Sequence, residues 1–204
     1  SVDTRRVASL RRGKYLGVGT SNTVTGVAST NFEHAEVRFD NAGGITLLCG
    51  AMDHGQGHGT TFKQVLADKL GIDGDKIRYL YGDTDKVTTG IGTFNARCAV
   101  FAGSAVAIAA DKVIEKGRRI AAHLLEAAVG DIEFGNGRFT VAGTDRSLEL
   151  ADVAKTAFQK PKLPADIEPG LYEHGEFGMG VGGAPTYPNG SHLAEVEIDA
   201  DTGR

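Results

Sequence analysis

Residues 45–62 read Ile45-Thr46-Leu47-Leu48-Cys49-Gly50-Ala51-Met52-Asp53-His54-Gly55-Gln56-Gly57-His58-Gly59-Thr60-Thr61-Phe62. A β-prone run passes through a glycine-rich turn, with two histidines and a glutamine inside it, into a helix. The helix is predicted from Phe62, Val65, Leu66 and Leu70, whose spacing puts them on one face. The turn therefore sits at a helix N-terminus, where the first backbone N–H groups lack partners and the macrodipole is positive. Gly55, Gly57 and Gly59 let backbone approach a ligand closely, and Thr60 or Thr61 is expected to cap the helix. Such an arrangement suits an anion.

Working outward, Gly71-Ile72-Asp73-Gly74-Asp75 is a helix stop, and 77–81 reads as a second strand ending at Gly82-Asp83-Thr84-Asp85. This is a strand–helix–strand unit. A parallel crossover places both glycine-containing strand ends on the carboxyl edge of the sheet, where α/β folds bind ligands. Strands are also expected at 15–24 and 34–39, with Asn41-Ala42-Gly43-Gly44 turning into the strand at 45–49. Residues 98–128 read as one long buried helix, with Val106, Ala110, Val113, Gly117, Ile120 and Leu124 on one face and small residues through its first half. A hairpin at 132–141 and a helix at 150–159 follow, then Pro161, Pro164 and Pro169, and last strands at 172–177 and 192–198. The expected fold class is α/β (α+β), a mixed sheet with a strand–helix–strand unit and a long buried helix. Residues 1–13 are expected to be a polar arm, and 14–204 a fragment of one domain, since Asp199-Ala200-Asp201-Thr202-Gly203-Arg204 is a turn that normally precedes another strand.

The chain has 204 residues, 41% of them hydrophobic and 24% charged, enough for a globular unit with a core. A net charge of −4 without an extended basic cluster argues against nucleic acid, and the apolar run at 99–110 is too short to span a membrane. Two cysteines make neither a disulfide framework nor an iron–sulfur site by themselves, and the expected compartment is the cytoplasm. Glycine is over-represented, with 29 residues that cluster at 55–59, 90–92, 135–137 and 175–183, marking turns and close approaches.

Residues 88–98, Thr88-Thr89-Gly90-Ile91-Gly92-Thr93-Phe94-Asn95-Ala96-Arg97-Cys98, repeat the device of the first turn. A glycine-containing loop again opens a helix, now with Arg97, whose guanidinium can grip a phosphate through two hydrogen bonds. Two such turns suit a dinucleotide or pyrophosphate better than one phosphate. His54 and His58 stand four apart, yet the glycines between them disfavour the helix that would make them a zinc pair, and no metal ligand is assigned. Asp85 is read as a turn residue, Asp83 is left open, and Cys98 is read as buried packing or a weak hydrogen bond to a ligand rather than a nucleophile. No Walker lysine motif and no dinucleotide-binding Gly-x-Gly-x-x-Gly opens a helix.

With these residues in view, the chain resembles the molybdenum-binding large subunit of the xanthine dehydrogenase, aldehyde oxidoreductase and aerobic carbon monoxide dehydrogenase family. The likeness lies in 55–62 (Gly-Gln-Gly-His-Gly-Thr-Thr-Phe), 82–85 (Gly-Asp-Thr-Asp), 92–98 (Gly-Thr-Phe-Asn-Ala-Arg-Cys), 12–19 and 194–203. Where this chain has Cys98, the family usually has Ser or Thr. The resemblance implies an oxidoreductase fragment that binds part of a molybdopterin cofactor, in its cytosine dinucleotide form. Gln56, Gly57, His58 and Thr60 would face the pterin or its diphosphate, and Thr93, Asn95, Ala96, Arg97 and Cys98 the phosphate and nucleotide side. It implies partners carrying FAD and a 2Fe-2S cluster, the remainder of the large subunit, and an intact enzyme that is a dimer of heteromers hydroxylating an aldehyde or N-heterocycle, or oxidising carbon monoxide, with water. The family's glutamate base lies far downstream, so no catalytic residue is assigned here, neither Glu176 nor Glu195. The alternatives are a free-standing nucleotide-binding module and a non-catalytic scaffold fragment.

Overall fold

The computed structural model describes residues 1–27, 32–179 and 186–204. Along the chain run α1 (Val2–Arg11), β1 (Lys14–Val24), β2 (Phe32–Phe39), β3 (Ile45–Cys49), α2 (His58–Leu70), β4 (Ile77–Leu80), α3 (Cys98–Leu124), β5 (Ile132–Gly135), β6 (Arg138–Val141), β7 (Ser147–Glu149), α4 (Leu150–Thr156), β8 (Tyr172–Gly178) and β9 (Asn189–Asp199). They form two compact units, one of residues 1–27 and 185–204, the other of residues 28–184. The second part of the glycine cluster at 175–183 lies outside the described residues.

In the first unit β1 and β9 pair antiparallel along their full lengths, with Lys14 opposite Asp199 and Val24 opposite Asn189. The expected polar arm is instead the helix α1. Ser1 accepts a hydrogen bond from the Thr4 N–H at its N-terminus, and Asp3 and Arg11 stand at the ends that suit their charges. Its arginines tie it to β9, where Arg5 meets Glu195 at 2.6 Å and Arg12 meets Glu197 at 2.5 Å. Charge pairing with a distant strand explains why a sequence without an apolar stripe is helical there.

The second unit is built on a four-stranded mixed sheet in the order β4-β3-β2-β8. β3 and β4 are parallel, joined through α2 as expected, while β2 runs antiparallel to both β3 and β8. Gly71 ends α2 in the left-handed conformation, with φ 62°. α3, 27 residues long, packs on β2, β8 and α2. Its small residues have a direct use. A side chain on Gly175 of β8 would collide with the Ala105 carbonyl and the Ala109 amide of α3, so helix and strand backbones touch there. Ala35, Val37, Phe39, Leu47, Cys49 and Ile77 of the sheet share one core with Phe62, Leu66 and Leu70 of α2 and Ala102, Ala105, Val106 and Ala109 of α3. The three-stranded sheet β5-β6-β7 and α4 extend this core along the second half of α3. Because β3 and β4 are parallel, the chain leaves both at the same edge. The segment 50–57 and the segment 81–97 both start there, and both lead to helix N-termini.

Candidate functional site

The glycine-rich turn delivers its backbone N–H groups inward, and the chain supplies its own anion to them. The Asp53 carboxylate accepts hydrogen bonds from the N–H groups of Gly55 (2.8 Å), Gly57 (3.2 Å) and Gly59 (3.2 Å). These contacts, that of Gly55 foremost, hold its pKa below the ordinary aspartate value. The threonine cap expected from the sequence is absent. Gly57 is the N-cap at φ 82°, and Thr61 Oγ1 donates back to the Gly57 carbonyl at 2.9 Å rather than accepting from the helix. Within the turn the Gln56 amide spans the loop. Its Oε1 accepts from the His54 N–H, its Nε2 donates to the Met52 carbonyl at 3.3 Å, and the same Nε2 lies 3.1 Å from His58 Nε2. The His58 ring is buried against Phe62, centroids 4.7 Å apart.

The second loop is fastened from beneath. Glu33 and Arg97, both fully buried, form an ion pair of 2.6 Å. One Glu33 oxygen accepts from the Ile91 N–H (3.3 Å), the other from the Gly92 N–H (3.2 Å). Arg97 donates to the carbonyls of Gly92 and Phe32, each at 2.6 Å, and lies between the rings of Phe94 and Phe101. Gly50 and Gly90 close over the carboxylate. A Cβ on Gly90 would stand 2.6 Å from the Gly50 Cα and 2.8 Å from Glu33 Oε1, so neither position has room for a side chain. Thr93 Oγ1 donates to the Met52 carbonyl at 2.5 Å and joins this loop to the first turn. Immediately before Arg97, Asn95 and Ala96 take left-handed conformations with φ 48° and 52°. For Ala96 that conformation costs about 1–2 kcal/mol, whereas asparagine adopts it readily.

Between the two loops lies an open cleft of about 490 Å³ lined by His54, Gln56, His58, Thr93, Phe94, Asn95, Ala96, Cys98 and Ala99. Of the expected site residues, Gln56, His58, Thr93, Asn95, Ala96 and Cys98 come together here. Gly57 stands apart because its N–H is committed to Asp53, and Thr60 lines a different recess on α2 with Gly59 and Lys63. Arg97 departs furthest from the expectation of a phosphate grip. Its guanidinium points away from the cleft into the core, because a buried carboxylate claims it. Cys98 is buried, and its thiol is directed at a neighbour in the same loop, with Sγ 3.4 Å from Thr93 Oγ1. Asp83 pairs with Lys86 at 2.5 Å and accepts from the Asp85 N–H, an exposed turn with no link to the cleft lining. The Cys49 thiol, beneath the first turn, is pushed up to about 12 by burial and stays protonated.

Sequence reasoning missed Glu33, Asp53, His54 and Phe94. For Glu33 a signal existed. It alternates with Ala35, Val37 and Phe39 on the buried face of β2, and a carboxylate on an apolar strand face needs a cation. For Asp53 the signal was an Asp two residues before a glycine, the pattern of an Asx turn.

All of the chain but Ser1, residues 2–204, matches the family model described as "Molybdopterin cofactor-binding domain". This chain belongs to that family. Among relatives of this molybdopterin-binding domain, the carbon monoxide dehydrogenase large chain of Hydrogenophaga pseudoflava is 37% identical over 194 residues, 92% of this chain and 23% of that one. The nicotine 6-hydroxylase large subunit of Paenarthrobacter nicotinovorans is 37% identical over 214 residues, 98% of this chain and 26% of the relative. Among solved structures, the Cu,Mo-CO dehydrogenase in its carbon monoxide reduced state is 32% identical with a TM-score of 0.77, covering 99% of this chain and 27% of that chain. The chain thus spans about a quarter of the length of the relatives it matches. The mixed α/β fold expected for the molybdopterin-binding domain is the one observed.

The cleft's chemistry fits a molybdopterin. Its lining offers two amides, two imidazoles, a hydroxyl and an aromatic face, and no carboxylate or ammonium group. Neutral hydrogen-bonding groups around an aromatic ring suit a flat heterocycle with polar edges, and the start of α3, which no side chain caps, suits a phosphate. Among the described residues no helix is long and apolar enough to cross a membrane.

Proposed function

We propose that the cleft between residues 53–59 and 92–98 holds part of a molybdopterin cofactor, in its cytosine dinucleotide form, within the large subunit of a molybdenum hydroxylase. The observation that carries the reading is the convergence of Gln56, His58, Thr93 and Asn95 on one cleft without a carboxylate in its lining. Gln56 and Asn95 would orient the ligand through their amides, and His58 and Thr93 through the ring nitrogen and the hydroxyl. When bound, the cofactor supplies an acceptor for electrons leaving the substrate carbon. Arg97 supplies no direct contact. Gly57 and Thr60 take part through the backbone position of the turn, and Cys98 sets the Thr93 hydroxyl.

In the intact enzyme the substrate is an aldehyde, an N-heterocycle or carbon monoxide, oxidised with water, and electrons pass to 2Fe-2S and FAD groups on partner subunits or domains. The names of the relatives support this class, one acting on carbon monoxide and another on nicotine. The catalytic base belongs to another part of the large subunit, so residues 1–204 alone are expected to turn nothing over. The test is the molybdenum and pterin content per polypeptide of the purified full-length protein. The double variant Gln56→Ala, Asn95→Ala should lose most of both while its melting temperature stays near the parent's. Parental content in that variant would refute the assignment of the cleft.

A further inference from the structure

We infer that Glu33 is a positioning residue for the cofactor cleft. With Arg97 it forms a buried latch that sets the conformation of residues 91–97, and this inference rests on the reading of the cleft given above. Glu33 lies on β2, far from the cleft in sequence, and its two oxygens serve the backbone of the cofactor loop directly, at the Ile91 and Gly92 N–H groups. Through Arg97 the same carboxylate reaches the loop a second time, at the Gly92 carbonyl. Arg97 in turn is tied to the Phe32 carbonyl, so the latch is anchored to the sheet at both ends.

What the latch holds is a conformation the loop would not choose. Asn95 and Ala96, the two lining residues just before Arg97, are both left-handed, and Ala96 has neither the freedom of glycine nor the side-chain hydrogen bonding of asparagine to favour that state. A backbone in that state persists only where its surroundings over-determine it, and the fixed points on either side are Gly92 and Arg97. The latch also decides the charge of the cleft. By turning the guanidinium inward against a carboxylate, it leaves the lining neutral and gives the ligand amide and hydroxyl donors instead of a cation. A cluster that only stabilised the fold would not need to bind the loop's own N–H groups, nor would it need Gly50 and Gly90 bare of side chains above it.

The test uses the full-length protein with Glu33→Gln, Arg97→Lys and, as a comparison of general stability, Val153→Ala on the buried face of α4. Three quantities are read: melting temperature, amide exchange at Ile91 and Gly92 in protein made without molybdate, and molybdenum content in protein made with it. Glu33→Gln and Arg97→Lys should each speed exchange at the two amides and lower molybdenum content about tenfold, the range expected when a partner one step behind a ligand is lost. Val153→Ala, which lowers the melting temperature by opening a cavity under α4 and leaves the latch intact, should keep both near parental values. If Glu33→Gln does not accumulate, the uncharged pair Glu33→Gln, Arg97→Met carries the same comparison. Loss of molybdenum in Val153→Ala to the same extent, or parental molybdenum in latch variants whose amides exchange freely, overturns the inference. Indifference of molybdenum content to Gln56→Ala and Asn95→Ala would instead undo the cofactor reading, while the exchange arm still reports on the latch.

Discussion

The two loops that border the cleft solve one electrostatic problem with opposite degrees of burial. Both bring backbone N–H groups together in a loop that leads into a helix, and both satisfy those groups with a carboxylate of the chain itself. In the turn at 53–59 that carboxylate is Asp53, near the surface and next in line to the groups it caps. In the loop at 90–97 it is Glu33, fully buried, from a distant strand, and neutralised by Arg97. The difference separates an adjustable wall from a fixed one. Water competes for the first carboxylate and screens it, whereas removing one member of the second pair strands a charge in the core.

Glu33→Ala is the strongest way to break this comparison, because it leaves Arg97 uncompensated; a loss of about 3–5 kcal/mol in denaturant unfolding is expected. A loss below that of an ordinary surface variant would mean that the pair is not buried in solution. Next comes Gly90→Ala, whose methyl would drive apart the Gly50 backbone and the Glu33 carboxylate at a cost of about 1–3 kcal/mol. The same substitution at Gly55, where a Cβ meets nothing within 4 Å, escapes that collision and pays only for its left-handed φ of 106°. Equal melting temperatures for Gly90→Ala and the parent would contradict the close approach.

Asp53 gives a smaller effect with a defined pH sign. Its folded pKa lies below its unfolded one, so its contribution is fully present above about pH 4, the ordinary aspartate range, and fades as pH falls through the lower folded value. Protection of the Gly57 and Gly59 amides, taken relative to their intrinsic exchange rate at each pH, should be lost only below that ordinary range; loss of protection near neutrality would assign the cap to another group. Smallest is Ala96→Gly. Relief of about 1–2 kcal/mol of left-handed strain is largely offset by the greater freedom of glycine in the unfolded chain, about 0.5–1 kcal/mol, so thermal unfolding should shift upward by no more than a few degrees.

The fold was legible where periodicity and turn chemistry agree. The strand at 45–49, the helix that ends at Gly71 and the parallel strand at 77–80 follow from apolar spacing and a left-handed stop, and the small residues of α3 announced its close contact with the sheet. Most of the cleft lining was legible too, because glycine loops before helices are local features. What was not legible depends on contacts between distant segments. Arg97 reads as a phosphate ligand until Glu33 is seen beside it, and Glu33 lies one residue before the strand start that the pattern suggested. Likewise α1 has no apolar stripe, and its helix is held by Glu195 and Glu197 from the far end of the chain.

The central claim, that the cleft between these two loops holds the cofactor, is tested most directly by amide exchange on the full-length protein with and without molybdopterin. The account predicts that loading slows exchange at residues 54–58 and 93–96 and leaves the β5–β6 hairpin unchanged. Slowing confined to other regions, with both loops exchanging as they do in the cofactor-free protein, would contradict it.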